Sequence, residues 1–211
     1  MGDLKLLATL VEKGDHLGTA KLTRELLDRG IDANQILLEG LQKGILSLGE
    51  RFKCNEAFIP EVLLSARAMK TGMEVLKPFL IPTESKAKVV LGTVKDDLHD
   101  IGKNMVGMML ESLGFKVIDL GVNVHEEKFL SVIRKEKAPL LAMSALLSTT
   151  MPELKYVIEH LKKEGMRDGI RVLVGGAPVT EKYAVDIGAD GYAPDAVRAA
   201  EKATELLGVK R

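Results

Sequence analysis

The spacing of apolar residues changes once along this chain, near residue 81, and the change decides what each side can become. Before it, apolar residues recur every three or four positions, the period of a helix face. Leu4, Leu6, Leu7, Leu10 and Val11 make a first helix, stopped by Gly14, with Asp15 as the next N-cap. Ala20–Leu27 forms a second, ending at Arg29-Gly30. A third runs from about Ala33 to Phe52, with Ile36, Leu37, Leu41, Ile45 and Leu48 along one side. Pro60 suits the first turn of a fourth, carried by Val62, Leu63, Ala66, Met69, Met73 and Leu76. Four helices with short joins predict an all-α four-helix bundle over residues 1–80. Residues 81–87 have no apolar period and contain Pro82, so they read as a linker.

Over residues 88–211 short β-branched runs alternate with helical stretches. The strands are Lys88–Thr93, Lys116–Leu120, Leu140–Ser144, Arg171–Val174 and Gly191–Ala193. The helices after them are Asp100–Leu113, Glu126–Lys135, Pro152–Lys163, Glu181–Ile187 and Ala196–Leu207. Such alternation builds right-handed βαβ units, hence an α/β flavodoxin-like (Rossmann-type) doubly wound sheet of five parallel strands, order 2-1-3-4-5. Composition narrows the function. The 30 Lys+Arg cancel 30 Asp+Glu, evenly on both sides of Lys86, so no basic nucleic-acid surface is expected. The one cysteine, Cys54, excludes an internal disulfide and any cysteine-rich zinc or iron–sulfur site. Leu140–Leu147, the longest near-continuous apolar stretch, is too short to span a bilayer, and the polar start predicts no secretory leader. A cytoplasmic protein without nucleic-acid or membrane partners is the expectation.

In a sheet of this kind ligands bind beyond the carboxyl ends of the strands, where the strand order reverses. The loops there carry Lys95–Gly102, Ser144–Thr150, Gly175–Pro178 and Ala193–Ala196, where polar and small residues concentrate. Any loop tends that way; the residue types say more. Asp97 and His99 lie two apart, close enough for the carboxylate to hold one ring nitrogen and leave the other as an acceptor. That is the arrangement of a metal ligand with its supporting group. A lone loop histidine facing water is the simpler role, and His16, His125 and His160 read so. No second His or Cys is placed to complete a zinc site. One histidine makes more sense for a metal whose other positions come from a macrocycle.

The string Asp97-Leu98-His99-Asp100-Ile101-Gly102 resembles the D-x-H-x-x-G signature of cobalamin-binding modules. In that family an S-x-L follows after about 41 residues and a G-G after a further 26–28. Here 41 residues (103–143) precede Ser144-Ala145-Leu146, and 28 (147–174) precede Gly175-Gly176. The helical half is similar to the family's cap domain in Phe52, Phe58-Ile59-Pro60-Glu61-Val62 and Ser65–Lys70. The resemblance covers almost the whole chain. It is closest to free-standing corrinoid proteins of methyltransferase systems and extends to the cobalamin module of methionine synthase.

The resemblance implies a cofactor, cobalamin or a related cobamide, whose own base leaves the cobalt and is buried as a tail beside the sheet. His99 would be the cobalt's lower axial ligand, with Asp97 and then Ser144 as the relay behind it. Asp96, Leu98, Asp100 and Gly102 would contact the cofactor from the same loop. Asp96 stands where the family often has a small residue, commonly Gly. Ser144, Leu146, Ser148 and Thr150 would line the slot from the third strand's loop. Gly175 and Gly176 would allow close backbone approach to the tail, and Ala196 would border it. Phe52, Ile59 and Val62 match residues that cap the upper face, although all three could equally be bundle core. The implied function is a methyl carrier, itself not catalytic. Its partners would be a methyl-donor:corrinoid methyltransferase, a second methyltransferase acting on tetrahydrofolate or coenzyme M, and a reductive activation protein.

Rival roles exist. A phosphorylation receiver shares the sheet and an acidic pair like Asp96-Asp97, but lacks its partners here: the third and fifth strands end in Met143-Ser144-Ala145 and Tyr192-Ala193-Pro194. A cobalamin-based sensor needs a DNA-reading helix, which the neutral helical half does not offer. A small cobalamin-binding subunit of a mutase shares the signature; the Phe52 and Phe58–Pro60 cap favours methyl transfer over it.

Overall fold

Helix starts and stops fall where capping chemistry predicts them. In the computed structural model, which describes residues 2–79 and 87–209, Asp15 accepts the Gly18 N–H at 2.9 Å and opens the second helix. Pro60 lies in the first turn of the last helix of this half, where Glu61 turns back to accept the Phe58 N–H at 2.8 Å. The chain divides into two compact units, Met1–Thr83 and Glu84–Arg211. Of the expected linker 81–87, residues 81–86 lie outside the described residues. Ala87 accepts the Lys116 N–H at the start of the sheet.

The first unit is all helical: α1 (Gly2–Glu12), α2 (His16–Asp28), α3 (Ala33–Gln35), α4 (Lys43–Lys53) and α5 (Ile59–Leu76). Between α3 and α4, Ile36–Gln42 is wound as π-helix, so 33–53 runs on as one rod. Four rods result, with α2 against α5 and α1 against α4. Their core holds Leu7, Leu26, Ile36, Leu41, Ile45, Leu48, Met69 and Leu76, all fully buried.

The second unit alternates β1 (Lys88–Thr93), α6 (Ile101–Ser112), β2 (Lys116–Asp119), α7 (Glu126–Glu136), β3 (Leu140–Ser144), α8 (Met151–Lys163), β4 (Arg171–Gly175), α9 (Glu181–Ile187), β5 (Gly191–Ala193) and α10 (Ala196–Leu206). The sheet is parallel throughout, in the order β2-β1-β3-β4-β5. Helices α6 and α10 pack on one face, α7, α8 and α9 on the other. Strands β1, β3 and β4 are buried on both faces, hence their nearly unbroken apolar runs. Among the described residues, no helix is long and apolar enough to cross a membrane.

Two features of this packing set up the edge where the loops meet. The chain leaves β1 towards β2 on one side and returns to β3 on the other, so the loops after β1 and β3 open a crevice between them. Beneath the first of those loops, Gly92 of β1 faces the ring of Phe129 on α7. A Cβ there would lie 2.7 Å from the ring. Gly92→Ala is therefore expected to cost about 1–3 kcal/mol through overpacking. In a Phe129→Leu background the added cost should shrink, a coupling that urea unfolding of the four-member cycle will measure.

Candidate functional site

The β1 chain ends at Thr93 and turns sharply, Asp97 N–H reaching back to the Val94 carbonyl at 3.2 Å. This brings the Asp97 side chain, with no solvent exposure, under the crevice. Both carboxylate oxygens are doubly served. Oδ1 accepts the His99 backbone N–H at 3.1 Å and lies 2.7 Å from His99 Nδ1. Oδ2 accepts the Leu146 N–H and the Thr150 hydroxyl, each at 2.7 Å. Thr150 Oγ1 also lies 3.0 Å from the Leu147 carbonyl, but has one proton, and the shorter contact is to the charged acceptor.

Burial alone would raise the Asp97 pKa. The donors from Leu146, Thr150 and His99 outweigh it and hold the pKa at about 2, against an ordinary 3.8. The carboxylate is thus ionised at neutral pH, and it fixes the imidazole: Nδ1 carries the hydrogen and Nε2 keeps a lone pair. The His99 side chain is 49% exposed, so that lone pair is available outside the protein.

Thr93 holds the same residue from behind. Its hydroxyl donates to the His99 carbonyl at 2.9 Å and lies 2.9 Å from Ser144 Oγ. A carbonyl only accepts, so the Thr93 proton goes there and Ser144 donates to Thr93. The expected relay contact between Ser144 and Asp97 is therefore replaced. The reason is register: Thr93 and Ser144 are paired positions on adjacent strands, so their hydroxyls meet. Asp97 lies beyond the strand ends, where Leu146 and Thr150 reach it. Sequence reasoning missed Thr93. Its one signal was a polar residue closing an otherwise apolar buried strand.

The other expected residues fall into three groups. Leu98 and Leu146 are exposed by 72% and 41%, and beside them Ile101, at the start of α6, and Leu147, neither of them expected, are exposed by 70% and 42%. Gly102, in the first turn of α6, has nothing within 4 Å of where a Cβ would be. Exposed apolar side chains around a half-exposed ligand suit a broad apolar body above the imidazole. Asp100 is exposed and accepts from Asn104 at 3.0 Å; Asp96 and Ser148 are exposed as well.

Gly175 and Gly176 are required to be small by the protein itself. Gly176 has φ +125°, and a Cβ there would sit 1.8 Å from the Ala145 carbonyl oxygen; one on Gly175 would sit 2.7 Å from that of Ala193. Their glycine requirement comes from the protein's own backbone, where the ends of β3, β4 and β5 converge. Ala196 is buried at the start of α10, which Asp195 caps by accepting the Arg198 N–H at 2.8 Å.

In the helical unit Val62 is buried in the core, Ile59 is 51% exposed and Phe52 is partly buried at the end of α4. Among the described residues, no three His, Cys, Asp or Glu side chains are grouped to hold a metal ion. One imidazole nitrogen with such neighbours fits a metal already held by a macrocycle.

Comparison with known proteins identifies the family. Residues 87–201 match the B12 binding domain family, and residues 4–77 match a second family of the same description. A corrinoid protein of Desulfitobacterium hafniense is 43% identical over 92% of this chain and 93% of its own length. Trimethylamine corrinoid protein 1 of Methanosarcina acetivorans is 41% identical over 89% of each. Among solved structures, the methanol:cobalamin methyltransferase complex MtaBC from Methanosarcina barkeri superposes with a TM-score of 0.85, at 28% identity, covering 99% of this chain and 81% of that one. A cobalamin-binding protein of D. hafniense DCB-2 superposes with a TM-score of 0.84 at 29% identity, covering 96% and 98%.

The Asp97 geometry predicts a pH limb. Because its folded pKa lies below the ordinary value, ionised Asp97 stabilises the fold above about pH 4, and the contribution is lost as pH falls towards 2. Urea unfolding of Asp97→Asn between pH 5 and pH 2.5 should show a shallower loss than the parent. Thr150→Val removes one of the four donors without changing shape, and should cost about 1–2 kcal/mol at pH 7.

Proposed function

The chain belongs to the B12-binding corrinoid proteins, and from that membership and the site we infer that it carries a methyl group on cobalt. The transfer runs between a substrate-specific methyltransferase and a second methyltransferase acting on tetrahydrofolate or coenzyme M. The donor is a small methylated compound of the methylamine or methanol class. A reductive activation protein completes the set of partners, and the cytoplasm is the compartment. One observation carries the site reading: Asp97 holds His99 through Nδ1 and leaves Nε2 of the half-exposed ring to bind a metal.

The residues that would hold the cobamide are His99 at the metal and Leu98, Ile101, Gly102, Leu146 and Leu147 against its apolar body. When bound, the cobamide supplies a cobalt that takes up and gives up a methyl group as it changes oxidation state. The chain's own part is to orient the ligand. Asp97 keeps the ring in the tautomer that presents Nε2, and keeps it facing one way. The Leu146 N–H and Thr150 hydroxyl keep Asp97 charged throughout. In this reading the helical unit supplies apolar cover through Phe52 and Ile59, while Val62 is taken up by its own core.

Anaerobic reconstitution with a cobamide should give a red protein. Its Co(II) state should show the three-line splitting of one axial nitrogen, with the cofactor's own base off the metal. His99→Ala should lose the splitting and keep part of the cofactor. A protein that stays colourless with every cobamide offered would end this reading.

A further inference from the structure

The loop that delivers His99 contains a residue that should not sit there unaided. Val94–Asp97 is a tight turn closed by the Asp97 N–H on the Val94 carbonyl, and its third residue, Asp96, has φ +62°. That position of such a turn is a glycine position; a side chain there is strained unless something else fixes the backbone. The fixing comes from the loop after β2. Thr93 N–H donates to the Gly121 carbonyl and Val124 N–H to the Thr93 carbonyl, each at 3.0 Å, so the ladder between β1 and β2 continues past the strands. Where the next carbonyl would be needed, the chain has turned away, and the side chain of Asn123 takes its place. Asn123 Oδ1 accepts the Asp96 N–H at 2.8 Å, and the Asn123 N–H donates to the Asp97 carbonyl at 2.9 Å. Asn123 is itself left-handed, φ +52°, a conformation asparagine enters more readily than most residues.

The geometry points to Asn123 as a positioning residue for the axial ligand, gripping both ends of the Asp96-Asp97 dipeptide so that the Asp97 carboxylate meets His99 Nδ1. This rests on the cobamide reading above. Asn123 touches neither metal nor cofactor ring in this role. It acts through the backbone of Asp96 and Asp97, and it is what makes an aspartate tolerable at position 96.

The test uses the full chain loaded with a cobamide and reads the fraction of Co(II) that shows the axial nitrogen splitting, beside the thermal unfolding midpoint. Asn123→Ala removes the acceptor for the Asp96 N–H and should lower the nitrogen-coordinated share relative to the uncoordinated one by about fivefold, the equivalent of one hydrogen bond. Adding Asp96→Gly to that variant should restore the share, because glycine takes the left-handed turn without support. A merely structural Asn123 would lower the midpoint and leave the nitrogen-coordinated fraction unchanged, and that result overturns the inference, as does a failure of Asp96→Gly to rescue. If the parent protein binds cobamide and shows no nitrogen splitting, the axial-ligand reading itself fails and this inference goes with it.

Discussion

One buried negative charge organises this protein's working edge. Taking a carboxylate out of water costs several kcal/mol, and Asp97 is removed from solvent completely. It is tolerable only because four donors converge on it. Two are local, from His99. The other two, the Leu146 N–H and the Thr150 hydroxyl, come from about fifty residues further along the chain. They arrive because β1 and β3 are neighbours in register, Thr93 beside Ser144, so that the loops leaving both strands start side by side. The 2-1-3-4-5 strand order is thus a condition for the charge, and the charge is a condition for an imidazole held in one tautomer.

The same dependence explains which parts of the site could be read from the chain and which could not. Asp97 and His99 are two residues apart, so their meeting is a local matter that spacing reveals. The sheet order was legible too, because the alternation of apolar periods leaves few right-handed parallel topologies open. The identity of the second donor set was not. Whether Ser144 or Thr150 reaches Asp97 depends on which strand positions pair and where each strand ends. Ser144 is still inside the ladder and is met by Thr93; Thr150 is six residues further, at the start of α8, and is free to turn in. What crowds the glycines was hidden for a related reason. Gly175 and Gly176 stand out in the sequence, but the atoms that exclude a Cβ are the carbonyls of Ala145 and Ala193, on strands that come near only in the folded sheet.

The surface above the carboxylate has the opposite character. Leu98, Ile101, Leu146 and Leu147 are exposed at the end of a sheet whose central strands are buried, and the space over Gly102 is open. Exposed apolar side chains scattered singly need no explanation; three leucines and an isoleucine beside an outward-facing imidazole do. Polar groups below and apolar groups above divide the task. The lower layer decides the protonation and orientation of His99, and the upper layer offers a dry seat to a flat ligand that brings the rest of the metal's coordination.

This division also limits what Asp97 does in the proposed role. With its pKa held at about 2, Asp97 stays ionised at neutral pH and serves the His99 ring only as an acceptor. Thr150 and the Leu146 N–H are donors to an oxygen that never gives its charge up, and they have nothing to accept. Thr93 donates to the His99 backbone carbonyl and Ser144 to Thr93, so neither hydroxyl reaches the Asp97 carboxylate. The groups behind Asp97 serve to fix its charge and its place, and through them the orientation of the His99 ring.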